Sequence, residues 1–237
     1  MHKLNNPLWK KTWKWSFFTG SALIPLLFGV AFANLFYGLN FDNQGSHITF
    51  FGLLNGYGLL GGVTFIIMFL LSGSLWINLK TSGPIHTRAS RLVIPIWLFA
   101  SVSFAMFLVA TAMKTTLLAN FSATPILWIV PSLALITMLL TGLFASMKRY
   151  GLAFTSISTS ILTFMATGFI GLFPNMLPSK INNAFSVTLF DAAGSELNLK
   201  IMFFVAVAIV PIVIAYQIWM YRIFAKKISP DQAKGYQ

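Results

Sequence analysis

The sequence predicts an all-α integral membrane protein with six transmembrane helices, and three observations support this fold class. Of the 237 residues, 57% are hydrophobic and 8% are charged, whereas roughly a quarter of the residues in a soluble protein carry charge. The mean hydropathy is +0.79. The chain also contains six uncharged apolar runs, each long enough to cross a bilayer as a helix of about 20 residues. Hydrocarbon cannot satisfy backbone N–H and C=O groups, so each run is expected to be a helix.

The six runs follow one another along the chain, and none contains Asp, Glu, Lys, Arg or His. The first run follows the basic start "MHKLNNPLWKKTWKW", which lacks the short apolar core and small-residue cleavage site of a signal peptide, so we expect this run to be retained. Alternating barrel-strand patterning is absent. The runs comprise residues 16–37, 51–79, 92–113, 126–147, 151–173 and 201–221.

The second run has a helix-packing pattern within "FGLLNGYGLLGG". Gly52 and Gly56, and likewise Gly58 and Gly62, are four residues apart, a spacing that allows helix backbones to approach closely. We interpret these four glycines as packing positions. The alternative is a site where a ligand approaches the backbone.

The remaining runs carry interior prolines or hydroxyl groups. Membrane helices tolerate a proline where neighbouring groups satisfy the freed carbonyl. The fifth run reads "FTSISTSILTFMATG", and its hydroxyls can bond to the preceding turn or to another helix. We predict a protein-covered face there, with a polar conduit as the alternative. The interior prolines are Pro25, Pro95, Pro131 and Pro211.

The formal net charge of +12 predicts orientation rather than a nucleic-acid partner. Thirteen of the 16 Lys and Arg residues lie before the first run, after the second, after the fourth or in the tail 222–237. Lys114, Lys180 and Lys200 lie on the other side. Positive-inside bias therefore predicts both termini, and the tail, on the cytoplasmic side of the membrane.

The titratable residues predict that the chain has no catalytic, cofactor-binding or metal site. With no cysteine, thiolate metal sites are excluded. No carboxylate inside a span could relay protons, and no histidine inside a span could ligate haem iron. A metal-binding or pH-sensitive pair of His47 and Asp42 is an alternative to two solvated residues. All acids and histidines lie outside the runs: Asp42, Asp191, Glu196, Asp231, His2, His47 and His86.

A long polar loop, 174–200, separates the last two runs on the outer side. Pro174 and Pro178 oppose further helix because they lack an N–H and restrict the preceding residue. Asp191 could accept backbone N–H bonds that fix a turn. We predict a shaped outer cap that includes these three residues and Asn175; a flexible tether is the alternative.

Four stretches together resemble one known family. They are "GVAFANLFYGLNFD" (29–42), "GLLNGYGLLGGV" (52–63), "GLFPNMLPS" (171–179) and "SVTLFDAAGSELNLKIM" (186–202). In order and spacing they are similar to subunit II of the cytochrome bd-type quinol oxidases.

The resemblance implies an architecture of eight helices in two four-helix bundles. On that alignment the family's first two helices are missing from this sequence, as in a shortened or split gene or a fragment. Residues 1–80 would then be the remaining helix pair of the first bundle, and residues 81–237 the second four-helix bundle.

The resemblance also implies a function. Subunit II of this family forms a heterodimer with subunit I, which carries haem b and haem d, oxidises quinol and reduces oxygen in the respiratory chain. This chain would be a non-haem structural and assembly subunit without proton pumping of its own. Its expected partners are subunit I, membrane lipid and, as a further candidate, quinone.

Two alternatives remain open at this stage. One is a small transporter or permease whose cavity is lined by Asn34, Asn55, Gln217 and the hydroxyl face of the fifth run. The other is a truncated remnant that does not assemble.

Overall fold

The computed structural model describes residues 7–223, and among these, six helices are long and apolar enough to cross a membrane. The predicted six-span, all-α membrane fold is therefore confirmed. His2, Lys3, Asp231 and most of the predicted cytoplasmic tail, residues 224–237, lie outside the described residues. The six helices are α1 (Pro7–Tyr37), α3 (Gly56–Lys80), α4 (Pro84–Lys114), α6 (Ile129–Ser146), α7 (Tyr150–Leu172) and α9 (Glu196–Ile223).

The short elements gather at one end of the bundle. We call the end that carries residues 38–55, 115–125 and 173–195 the loop end, and the end that carries residues 81–83 and 147–149 the opposite end. Two antiparallel pairs of short strands lie at the loop end, residues 41–42 with 45–46 and residues 175–177 with 187–188. The short elements are β1 (Phe41–Asp42), β2 (Gly45–Ser46), α2 (Phe50–Leu53), α5 (Ala119–Ala123), β3 (Asn175–Leu177), β4 (Val187–Thr188) and α8 (Leu189–Ala192).

The second predicted span is not one continuous helix. The chain forms α2, breaks, and starts α3 at Gly56. The break occurs because the Asn55 side chain accepts a hydrogen bond from the Gly58 N–H (2.8 Å) and so caps the first turn of α3, as Asn does at helix N-termini. The apolar pattern of residues 51–79 does not indicate this cap.

Helix α3 lies at the centre and packs against α1, α4 and α7, while α6 packs against α7 and α4. The centroid of the Phe164 ring of α7 lies 5.0 Å from that of Phe104 and 5.6 Å from that of Phe107, both in α4. The buried core is continuous across these five helices. By contrast, no residue of α9 is buried. The division at Lys80 into two bundles stays a prediction.

The hydroxyls of α7 are largely satisfied by backbone carbonyls. Ser158 donates to the carbonyl of Phe154 (2.8 Å) and Thr163 to that of Thr159 (2.8 Å), both within the helix. Ser160 instead donates to the Ala134 carbonyl of α6 (2.9 Å). The serine and threonine pattern of the fifth run therefore serves the helix backbone and one interhelical contact.

Candidate functional site at the loop end

Glycines let α1 and α3 approach closely. A Cβ built on Gly29 of α1 would lie 2.5 Å from the Gly61 carbonyl oxygen of α3. A Cβ on Gly62 would lie 2.8 Å from Leu26 Cδ1, and one on Gly58 would lie 2.6 Å from Asn34 Nδ2. Real Cβ atoms do not approach so closely, so side chains at these positions would push the helices apart.

The four glycines singled out in the sequence are therefore placed differently. Gly58 and Gly62 face α1, whereas Gly56 has nothing within 4 Å of a built Cβ and Gly52 meets only the Thr49 hydroxyl. Sequence reasoning missed Gly29 and Gly61. The signal that could have found them is Gly29 with Ala33, a second small pair at four-residue spacing on the neighbouring helix.

Two asparagines fix the junction between α1, α2 and α3. The buried Asn34 side chain donates to the carbonyls of Val30 (2.8 Å) and Leu53 (2.7 Å). Asn55 donates to the Asn34 side-chain oxygen (2.6 Å). The bond from Asn34 gives a partner to the Leu53 carbonyl, which lies at the break between α2 and α3; a backbone group without such a partner is costly in a membrane.

The long loop docks on the segment that follows α1. The Leu39 N–H donates to the Pro178 carbonyl (2.9 Å), and the Lys180 N–H donates to the Leu39 carbonyl (3.0 Å). The Ser179 hydroxyl donates to the Phe41 carbonyl (2.6 Å). Residues 178–180 are thereby tied to residues 39–41, although about 140 positions separate them, as the separation of 138 between Ser179 and Phe41 shows.

Hydrogen bonds within the loop join its first and last parts, and Asn120 of α5 bonds to the end of α7. Asn175 of β3 is paired with Thr188 of β4, and the Leu189 N–H donates to the Pro174 carbonyl (2.9 Å). The Asn120 amide donates to the carbonyls of Ile170 (3.2 Å) and Gly171 (3.0 Å). It also bonds to the Phe173 carbonyl, so carbonyls at the end of α7 have a side-chain partner.

Asp191 closes the loop with a capping box. The Thr188 hydroxyl accepts from the Asp191 N–H (3.2 Å), and Asp191 Oδ2 accepts from the Thr188 N–H (3.2 Å). Hydrogen bonds from the Thr188 side chain, then from its backbone, lower the pKa of the Asp191 carboxyl, because they favour the ionised form.

Asp42 plays a similar part in the hairpin after α1. Its carboxylate accepts from the N–H groups of Gln44 (2.8 Å) and Gly45 (3.2 Å) and lies 3.2 Å from His47 Nε2. The Gln44 bond contributes most to lowering the pKa of the Asp42 carboxyl. Within residues 7–223, no three His, Asp or Glu side chains converge as metal ligands would.

Three cavities adjoin one another at the loop end of the bundle. A polar cavity of about 200 Å³ is lined by Tyr37, Asn55, Lys114 and Lys180 among others. A second polar cavity, of about 510 Å³, shares both lysines with it. A third, of about 300 Å³, is apolar and lies between α4, α6 and α7. This arrangement places two lysines, Lys114 and Lys180, next to an apolar recess.

The structure brings together only two of the residues proposed for a transport cavity, Asn34 and Asn55. Asn34 and Asn55 line the smaller polar cavity, but both amides bond to backbone groups or to each other. Gln217 lies on the exposed surface of α9. A polar conduit therefore has no support from these positions.

Sequence comparisons give the affiliation of the chain. The profile of the family described as cytochrome bd terminal oxidase subunit II matches residues 1–224. The cytochrome bd-I ubiquinol oxidase subunit 2 of Escherichia coli strain K12 is 33% identical over 263 residues, covering 97% of this chain and 69% of that protein.

Two further relatives are similarly distant. The probable cytochrome oxidase subunit 2 of Haemophilus influenzae is 32% identical over 250 residues, covering 92% of this chain and 66% of that protein. The cytochrome bd ubiquinol oxidase subunit 2 of Bacillus subtilis strain 168 is 30% identical over 237 residues, covering 99% and 69%. The chain thus spans about two thirds of the length of these relatives.

Proposed function

This chain belongs to the cytochrome bd terminal oxidase subunit II family, and we propose that it is the non-haem structural subunit of a quinol:oxygen oxidoreductase in a bacterial respiratory chain. The family match over residues 1–224 is the observation that carries the proposal. In this proposal subunit I holds haem b and haem d, oxidises quinol and reduces oxygen. The present chain stabilises subunit I by helix packing.

The exposed helix α9 supports a role in assembly. It is apolar along most of its length, yet no residue in it is buried. It contacts the bundle through Tyr221, whose ring centroid lies 5.8 Å from that of Trp76. Helices in membranes gain stability from close packing against other helices. We propose that α9 lies against subunit I, whereas the exposed apolar faces of α4 and α6 contact lipid.

The first test of this function is the purification of the chain, tagged at its C-terminus, from its native membrane. We expect subunit I to co-purify, and the reduced-minus-oxidised optical spectrum to show haem b and haem d bands. A folded chain that is recovered without a haem-bearing partner would contradict the assignment.

A second test maps the contact with subunit I. The chain has no cysteine, so single cysteines report individual positions. Ile212 in α9 is 68% exposed and Leu139 in α6 is 62% exposed. We expect a cysteine at position 212 to crosslink to subunit I and one at 139 not to do so. A crosslink from position 139 and none from position 212, with haem content unchanged, would place the interface at α6 without contradicting the proposed function.

The described basic residues support one orientation in the membrane. We propose that the opposite end faces the cytoplasm, because positive-inside bias applies to short connections and helix ends. Cytoplasmic fluorescence from a C-terminal fluorescent protein would support this, and high activity from a C-terminal alkaline phosphatase would overturn it. The basic residues toward the opposite end are Lys10, Lys11, Lys14, Lys80, Arg88, Arg91, Lys148, Arg149 and Arg222.

A further inference from the structure

Two lysines from distant parts of the chain line the same space at the loop end. Lys114 is the last residue of α4, and Lys180 belongs to the docked loop. Both line the cavities of about 200 Å³ and 510 Å³. The Lys180 ammonium lies 3.6 Å from the centroid of the Tyr37 ring, a cation–π contact that holds it over the cavity.

Among the described residues, no carboxylate pairs with either of these lysines. The described acids of the loop end are engaged elsewhere: Asp42 with His47 and the backbone, Asp191 with Thr188, and Glu196 with Lys200 at 2.7 Å. Within residues 7–223, neither Lys114 nor Lys180 forms an ion pair. The two ammonium groups therefore favour an anionic occupant.

The apolar cavity continues from the larger polar cavity. Phe36 and Leu117 line both. The floor of the apolar cavity includes the buried Phe121. At its rim, Val109 of α4 is 59% exposed and Leu135 of α6 is 43% exposed, so the cavity opens on the side of the bundle, where acyl chains lie in a membrane.

We propose that these cavities together bind one anionic phospholipid. Its phosphate contacts Lys114 and Lys180, and one of its acyl chains occupies the apolar cavity between α4, α6 and α7. A soluble anion would leave the apolar cavity unfilled, and a neutral lipid would leave both ammonium groups without a counter-charge. Two ammonium groups without a protein counter-charge attract the negative charge of an anionic headgroup. The site lies within this chain, so it does not depend on the proposed role beside subunit I.

The test measures which lipids stay with the full chain, or with its complex, after exhaustive detergent washing. Phosphatidylglycerol and phosphatidylethanolamine are added in equal amounts and quantified by native mass spectrometry. We expect the wild-type chain to retain phosphatidylglycerol. Lys114→Gln and Lys180→Gln should each lower that retention about fivefold, from the usual contribution of one basic residue beside an anionic lipid. Lys200→Gln is the matched control at the same end, because Lys200 is paired with Glu196, and it should retain lipid normally.

The acyl-chain part of the site has its own variant. Ala112 lines the apolar cavity, so Ala112→Phe should fill it and lower phosphatidylglycerol retention, whereas Ala105→Phe on the exposed surface of the same helix should not. Equal retention of the two lipids, unchanged retention in both lysine variants, or displacement of the lipid by inorganic phosphate would overturn the proposal. Retention of quinone in place of phospholipid would overturn it as well. Circular dichroism of each variant separates loss of lipid from loss of fold.

Discussion

Gly29 of α1 lies directly against Gly61 of α3, so that a Cβ on Gly29 would stand 2.5 Å from the Gly61 carbonyl oxygen and 2.7 Å from the Gly62 Cα. Both neighbours are backbone atoms, which cannot move aside as a flexible side chain can. The separation of α1 from the centre of the bundle is therefore set by the absence of side chains at this crossing.

We expect Gly29→Ala to lower the free energy of unfolding by about 1–3 kcal/mol, the usual cost of overpacking a close contact. Gly20→Ala on the same helix is the matched control, because nothing lies within 4 Å of a Cβ at position 20. There the higher helix propensity of alanine should leave stability equal or slightly improved. Thermal unfolding in detergent checks both variants, and equal melting temperatures would contradict the close-packing account.

The same reasoning applies on α3, where Gly58→Leu or Gly62→Leu should reduce recovery of the assembled, haem-bearing complex. Gly73→Leu serves as the control, because a Cβ at position 73 also meets nothing within 4 Å. Haem content per purified chain is the measurement. Normal haem recovery in the first two variants would remove the packing role proposed for these glycines.

The asparagine pair should show energetic coupling. Asn55→Ala removes a helix cap, which costs about 0.5–2 kcal/mol, and also removes the donor to Asn34. Asn34→Leu leaves the Leu53 carbonyl without its partner. A double-mutant cycle should give a coupling of about 0.5–1.7 kcal/mol, which extends from near the average to the maximum measured for hydrogen bonds between membrane helices. Strict additivity of the two single changes would show that the Asn55–Asn34 bond contributes nothing.

The short helix α8, which Asp191 helps to cap within the long loop, should lose order in acid. The pKa of Asp191 is lowered in the folded chain, so its contribution to loop order is present above about pH 4, the ordinary pKa of aspartate. That contribution is lost as the pH falls through the lower, folded-state pKa. Hydrogen exchange at residues 187–192, corrected for intrinsic rates, should show this loss of protection.

Asp191→Asn should be less protected at neutral pH and should lose the acid dependence. Asp42→Asn is the control: it removes the carboxylate that Gln44 and Gly45 bond to and should leave residues 187–192 unaffected. Persistent acid dependence in Asp191→Asn would assign the effect to another group.

One interhelical hydroxyl bond should be distinguishable from the bonds within α7. Ser160→Ala removes the bond to Ala134 of α6 and should destabilise the bundle by about 0.6 kcal/mol, the average for such bonds. Ser158→Ala removes a bond to the carbonyl of Phe154, one turn earlier in the same helix, and should change stability less. Unfolding free energies in bicelles provide the comparison, and a larger effect at Ser158 would contradict it.

Several features of the site show where sequence patterns reach their limit. The four-residue glycine spacing indicated Gly58 and Gly62, which face α1, but it equally indicated Gly52 and Gly56, which do not. The spacing is a property of one helix, whereas contact depends on how that helix is rotated toward its neighbour. In the same way the apolar run 51–79 concealed the break at Asn55, because a cap needs one side chain and does not alter mean hydropathy.

The sequence alone determined that this chain crosses a membrane six times as helices, because a bilayer requires each apolar segment to satisfy its own backbone hydrogen bonds. The distribution of lysine and arginine likewise predicted an orientation without any tertiary information. Only the tertiary structure decided that Gly29 meets Gly61, that residues 178–180 dock on residues 39–41, and that Lys114 and Lys180 line one cavity. These relationships depend on the rotation and offset of separate helices, which arise from packing across the whole bundle and leave no local periodicity in the chain.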